Sequence, residues 1–308
     1  MNINYIILAH KNPQQLKTLV EKLSTPHTFF YIHIDRSVAI EPFINELKNQ
    51  ARVYFIKGRE QGIWGDIGIV KATLNALQEI TKKPDKGYCV LISGQDYPIK
   101  SNKQIDSFLQ KNYGVNFIDI KTFDEATWPN NGIDRIQYYK FNLSAERGNF
   151  ILIPSVLSKD FYINWKFNIR IIIHLVKRKK IPLIIIKRRK FPKSMRPYAG
   201  SQWWAIPIET AVKILAYLER DKRFLKYNTY SLVPDEFFFH SIIKHFASSD
   251  ETMKIKPSIT YVNWEKAGVP LPVTFTSEDI EELLNQPEEK LIARKFEMNA
   301  NDKIFDLL

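Results

Sequence analysis

The feature that most constrains this chain is the way its first 120 residues alternate short apolar runs with segments of helical spacing. Tyr5 to Ala9 (YIILA) is apolar apart from one phenol. Asn12-Pro13 then opens a segment with Leu16, Leu19, Val20 and Leu23 at the three-and-four spacing of an amphipathic helix. Thr28 to Ile34 (TFFYIHI) and Val53 to Ile56 read as further strands. Gly68 to Ile80 carries Ile69, Val70, Leu74, Leu77 and Ile80 at helical spacing, and Tyr88 to Ile92 (YCVLI) is another buried strand. This rhythm predicts βαβ units, and therefore an α/β fold with a mostly parallel, Rossmann-like sheet flanked by helices.

After residue 120 the rhythm lapses. Trp128-Pro129-Asn130-Asn131-Gly132 is a loop signal, and helical spacing returns only at Ala211 to Leu218 and Phe237 to Phe246. No internal repeat or low-complexity linker divides the 308 residues. The expected organisation is one unit over 1–308, a nucleotide-binding-like half (1–120) and a less regular half (121–308) around a cleft.

Composition excludes several classes. At 44% hydrophobic and 25% charged, the chain has enough apolar surface to fold. One cysteine, Cys89, rules out an internal disulfide framework and a cysteine-based zinc site. No uncharged apolar stretch approaches the roughly 20 residues that span a bilayer. The start MNINYIILAHKNP lacks the pattern of a secretory signal, so the expected location is cytoplasmic.

The net charge of +12 is local. Phe161 to Gly200 contains twelve Lys and Arg and no Asp or Glu, which accounts for the whole surplus. Two apolar runs, Ile171 to Val176 and Ile181 to Ile186, are each followed by a basic block, KRKK and KRRK. Cations among isoleucines suit an anionic membrane surface better than nucleic acid. A buried element with solvated flanks fits the same pattern equally well.

No G-x-G-x-x-G, P-loop, H-E-x-x-H or G-x-S-x-G occurs. The six histidines are scattered, and no Asp-x-Asp offers a carboxylate handle for a divalent ion. Polar sequences do follow three strands: His10-Lys11-Asn12, Asp35-Arg36-Ser37 and Ser93-Gly94-Gln95-Asp96. Strand ends of an α/β sheet are where ligands bind, although such residues also serve ordinary turns. Pro234-Asp235-Glu236 has the composition of an ordinary helix start, which by itself assigns Glu236 no chemistry.

YIILAHKNPQQL, YIHIDRS, LISGQDYPIKS, GSQWW, PDEFFFHSII, YVNWE and LIARKF occur in this order from about residue 4 to 296. In this combination the chain resembles the core-2/I-branching β-1,6-N-acetylglucosaminyltransferase family (glycosyltransferase family 14), which includes the peptide O-xylosyltransferases. The resemblance implies a GT-A-type fold and inverting transfer of a sugar, N-acetylglucosamine or xylose, from a UDP-sugar donor to a saccharide hydroxyl. It implies no metal and no other cofactor. Residues 1–120 become the nucleotide-sugar half and 121–308 the acceptor and catalytic half. Glu236 is implied as the general base, with His240 expected to share its helix face. His10, Asp35, Asp96, Arg294 and Lys295 are implied on the donor side, and Arg135, Trp203, Trp264 and Glu265 on the acceptor side.

The chain departs from the family in two places. Gln202 stands where peptide xylosyltransferases carry an aspartate. A second diphosphate-binding arginine has no counterpart, because nothing basic lies between Lys266 and Lys290. Either Arg294 or a residue from the 187–196 cluster replaces it, or the implied metal independence does not hold. Without the anchor and paired cysteines of animal members, the chain resembles a bacterial form acting on a lipid-linked saccharide in surface polysaccharide synthesis, with 161–200 at the inner leaflet. The competing expectation is a non-catalytic basic protein that binds membrane or nucleic acid.

Overall fold

The computed structural model describes residues 1–82, 85–126, 128–177, 183–299 and 303–308. Strands β1 (Asn2–Ala9), β2 (Thr28–Ile34), β3 (Val53–Phe55) and β4 (Gly87–Ser93) pair in parallel, with Ile7 opposite both Ile32 and Ile92. Ala205–Pro207 runs antiparallel between β4 and β6 (Val115–Phe117), and Lys254–Lys256 adds in parallel beyond β6. The result is a seven-stranded sheet in which one strand runs against the other six.

Both faces of this sheet are covered, which explains why its central strands are continuously apolar. Tyr5 and Ile7 pack with α1 (Pro13–Leu23) and the helix Asn102–Lys111, whereas Ile6 and Leu91 pack with the helices Gly68–Ile80, Ile208–Arg220 and Phe238–Ala247. Helix α1 starts where expected. The Asn12 side chain accepts from the Gln15 N–H at 3.1 Å, Pro13 takes the first turn, and Leu16, Leu19, Val20 and Leu23 are fully buried. Each such leucine contributes about 1.5–3 kcal/mol.

A smaller sheet forms where β5 (Asp96–Pro98) pairs antiparallel with Ile292–Arg294, itself parallel to Thr260–Val262. A hairpin, Tyr138–Asn142 with Phe150–Pro154, packs against the helix Trp165–Lys177 through Phe141, Ile153 and Leu175. The run Ile171 to Val176 falls within that helix. Residues 178–182, which include Arg178, Lys179 and Lys180, lie outside the described residues, and Leu183–Ile186 forms a 3-10 turn.

Two expectations are corrected. Pro234–Glu236 is a 3-10 turn of its own, set off from the helix Phe238–Ala247 by Phe237 at φ −146°. Glu236 therefore shares no helix face with His240. His240 is fully buried, its Nε2 lies 2.8 Å from the Ser201 carbonyl, and burial pushes its pKa down to about 4.

Candidate active site

A cleft of about 990 Å³ opens at the carboxyl ends of β1, β2 and β4. Of the residues expected to act, His10, Asp35, Trp203, Glu236, Trp264, Arg294 and Lys295 line it. Asp96, Arg135 and Glu265 do not. Asp96 is buried behind the wall, Arg135 stands beside Glu236, and Glu265 lies next to Trp264 on the exposed 264–271 segment.

The sheet edge supplies one wall. The Asp35 carboxylate accepts from the Ser37 N–H at 2.7 Å, the Ser37 hydroxyl at 2.6 Å and the Gly62 N–H at 2.6 Å. Burial raises its pKa, but these bonds outweigh that and leave Asp35 below the ordinary range. The His10 pKa is lowered, first by burial and then by Lys11.

The C-terminal strand brings a second wall. Arg294 reaches Asp96 Oδ1 at 2.7 Å and the Ser93 hydroxyl at 2.5 Å, and its guanidinium lies 4.4 Å from the Trp203 ring centre. Burial pushes Asp96 up, and Arg294 with the Ser93 N–H pulls it partly back. Arg294 is thus already engaged, while Lys295 has no carboxylate of its own within 4 Å among the described residues. Burial, then Arg294, lowers the Lys295 pKa, with Lys11 and Arg147 adding to the push.

Arg147 was not foreseen. It sits in the turn that joins the hairpin strands, lines the cleft, and places its guanidinium 5.2 Å from the Trp64 ring centre. None of residues 187–196 lines the cleft. Arg189 instead points inward, donating to the Tyr138, Tyr230 and Tyr227 carbonyls and to the Ser231 hydroxyl.

Glu236 lies on the opposing half of the chain. Its Oε2 is 2.7 Å from Arg135 Nη1, and Arg135 is itself stacked 3.7 Å from the Trp128 ring centre. Burial raises the Glu236 pKa and Arg135 opposes the rise, with a net upward shift. Neighbouring Asp235 is buried with no partner for Oδ1, and burial plus the Glu236 charge push its pKa up to about 7.

The local backbone explains how the turn is held. Val233 precedes Pro234 at φ 53°, a left-handed conformation that costs a β-branched residue about 1–3 kcal/mol and is anchored by its N–H to the Gly65 carbonyl at 2.9 Å. Gly200 donates its N–H to the Glu236 carbonyl at 2.8 Å, and a Cβ there would stand 1.8 Å from the Asp119 carbonyl oxygen. Only glycine fits, which is why the Gly-Ser-Gln-Trp-Trp segment can press against this turn. Trp203 faces the cleft, and Trp204 is buried with an unpartnered indole N–H.

Asp235 carries a stability consequence. Its folded pKa of about 7 exceeds the ordinary 3.8, so the folded state holds a proton that the unfolded chain releases earlier. The stability that this carboxyl contributes is fully present below the ordinary value and is lost as pH rises through about 7. Thermal unfolding at about pH 5 and about pH 8 should show a drop that Asp235→Asn largely removes. An equal drop in the variant would assign the pH dependence to other groups.

Among the described residues, no three or more His, Cys, Asp or Glu side chains cluster so as to hold a metal ion. A model of the Core-2/I-Branching enzyme family matches residues 3–286, nearly the whole chain. The chain belongs to that family. Its similar relatives include xylosyltransferase 2 from Canis lupus familiaris, 22% identical over 330 residues that cover 100% of this chain and 33% of that protein. Xylosyltransferase 2 from Homo sapiens is also 22% identical, with the same coverage. Xylosyltransferase 1 from Homo sapiens is 21% identical, covering 100% of this chain and 30% of that protein. The chain therefore spans about a third of the length of these curated relatives. A solved mannose-6-phosphate isomerase from Helicobacter pylori is 15% identical over 73% of this chain and 78% of that one, with a TM-score of 0.33 that carries no inference. In this branching-enzyme family member, the Gly-Ser-Gln-Trp-Trp and Pro-Asp-Glu segments both contribute to one cleft at the sheet's carboxyl edge.

Proposed function

We propose that this chain is an inverting glycosyltransferase that moves a sugar from a UDP-sugar to a hydroxyl of a saccharide acceptor. The observation that carries the reading is a carboxylate, Glu236, and free cations, Lys295 and Arg147, in one cleft at the carboxyl edge of a parallel sheet. Glu236 takes the acceptor hydroxyl proton as the oxygen attacks the anomeric carbon, and the bond from that carbon to the diphosphate oxygen breaks. Arg135 orients the carboxylate by the 2.7 Å ion pair and is a positioning residue.

The departing UDP carries growing negative charge, which Lys295 and Arg147 offset without a divalent ion. Arg147 takes the place left by the missing upstream arginine. Asp35 and His10 belong to the nucleoside side. Asp96 acts through Arg294. Trp203, Trp264 and Glu265 belong to the acceptor side, where Trp264 is 60% exposed and offers an open ring face.

N-acetylglucosamine is the donor sugar we favour, with a lipid-linked saccharide of a surface polysaccharide as acceptor. UDP-xylose is the second reading, favoured by the names of the relatives. Against it stands Gln202, whose amide in the cleft cannot accept a proton as an aspartate would. A panel of UDP-sugars, followed for binding and slow hydrolysis in EDTA, tests the proposal. One UDP-sugar should bind and turn over with the chelator present. Binding of none would remove the donor assignment, and activity lost in EDTA but restored by manganese would remove the metal-free step.

A further inference from the structure

Nine of the eighteen large apolar side chains exposed among the described residues fall between Leu157 and Ile186. Scattered single apolar residues are normal on a surface, but a cluster of this kind marks a place where something binds. Ile163 is 75% exposed and Phe167 64%. The helix Trp165–Lys177 already satisfies its core by turning Ile171, Ile172 and Leu175 toward the hairpin, with Asn168 buried and donating to the Phe161 carbonyl. Its opposite face is apolar as well: Ile169 and Ile173 lie between the exposed cations Lys166, Arg170 and Lys177.

We propose that this face docks on an anionic lipid bilayer. The charge selects the occupant. Exposed Lys187, Arg188 and Lys190 extend the positive field, and no Asp or Glu occurs from Phe161 to Gly200. Against a second copy, this face would set cation upon cation. RNA or DNA would use the charges but leave the isoleucines unburied. A headgroup layer takes both, with cations at the phosphates, aliphatic side chains in the acyl boundary, and Tyr162 and Trp165 at the interface between them. Among the described residues no helix is long and apolar enough to cross a membrane, so the contact is peripheral. The hairpin beneath the helix also carries Arg147, which couples the lipid face to the cleft by one element.

Co-sedimentation of the full chain with phosphatidylcholine vesicles, with and without phosphatidylglycerol, tests the proposal independently of any sugar transfer. Binding is expected to the mixed vesicles alone and to weaken with salt. Lys166→Glu/Arg170→Glu/Lys177→Glu should lower it by roughly a hundredfold or more. Phe167→Ser/Ile173→Ser should lower it by about tenfold with the charges intact. Circular dichroism and unchanged UDP affinity check that both variants fold. Absence of binding to mixed vesicles, equal binding to neutral ones, or full binding by the charge-reversed variant overturns the proposal. So does a dimer or a nucleic-acid complex that the same substitutions abolish while vesicle binding is absent.

Discussion

Glu236→Gln should lower sugar transfer by about 10²–10⁴-fold while leaving UDP affinity within a few-fold of the parent. The amide keeps the shape of the side chain and can still accept from Arg135, now 2.7 Å from the carboxylate, but it cannot take a proton. Initial rates beside calorimetric UDP binding separate the two effects. Turnover retained at the parent rate would remove Glu236 from the mechanism. The parent should also show an acid limb in kcat/KM above the usual carboxylate range, because burial raises the Glu236 pKa and protonation removes the base. In Arg135→Met that limb should move further up, since the opposing cation is gone. A purely structural role for Arg135 would leave the limb where it was.

Arg294→Ala should destabilise the fold by about 3–5 kcal/mol, because it strands Asp96, whose side chain is 0% exposed, beside an empty space. Arg294→Lys should restore part of the loss, since both bonds come from the one nitrogen Nη1 and an ammonium can also donate to both Asp96 and Ser93, while the flat contact with the Trp203 ring is given up. Pairing Arg294→Met with Asp96→Leu should recover much of the loss, because no charge is then left buried. Chemical denaturation of the single and double variants measures these differences. An Arg294→Ala protein as stable as the parent but unable to hold UDP would make Arg294 a donor ligand outright.

The sheet and its covering helices were legible because both are periodic. The helix Gly68–Ile80 matches its expected span, and Asn12-Pro13 marks the start of α1. The run Tyr5 to Ala9 underestimated β1, which begins at Asn2, since Asn4 is buried with its side-chain amide donating a hydrogen bond to the Tyr88 carbonyl. Pro234 to Glu236 read as a helix start because the composition of a 3-10 turn and of a first helical turn is the same. What separates them, Phe237 at φ −146°, leaves no mark in the sequence. Arg147 was illegible for a related reason: LSAERGN is an ordinary hairpin turn, and only the fold reveals which of its side chains faces a cleft. Asp96 looked like a rim residue because Ser-Gly-Gln-Asp is polar, yet its partner arrives from 198 positions away.

That span governs when the machinery can exist. As the polypeptide leaves the ribosome, β1, β2 and β4 can pair and the Pro234–Glu236 turn can close long before Ile292–Arg294 is made. Until then Asp96 has no counter-ion and the wall bearing Lys295 is missing. A nascent chain halted short of that strand would therefore hold Glu236 in its turn but lack one wall of the cleft, so biosynthesis completes the cleft last.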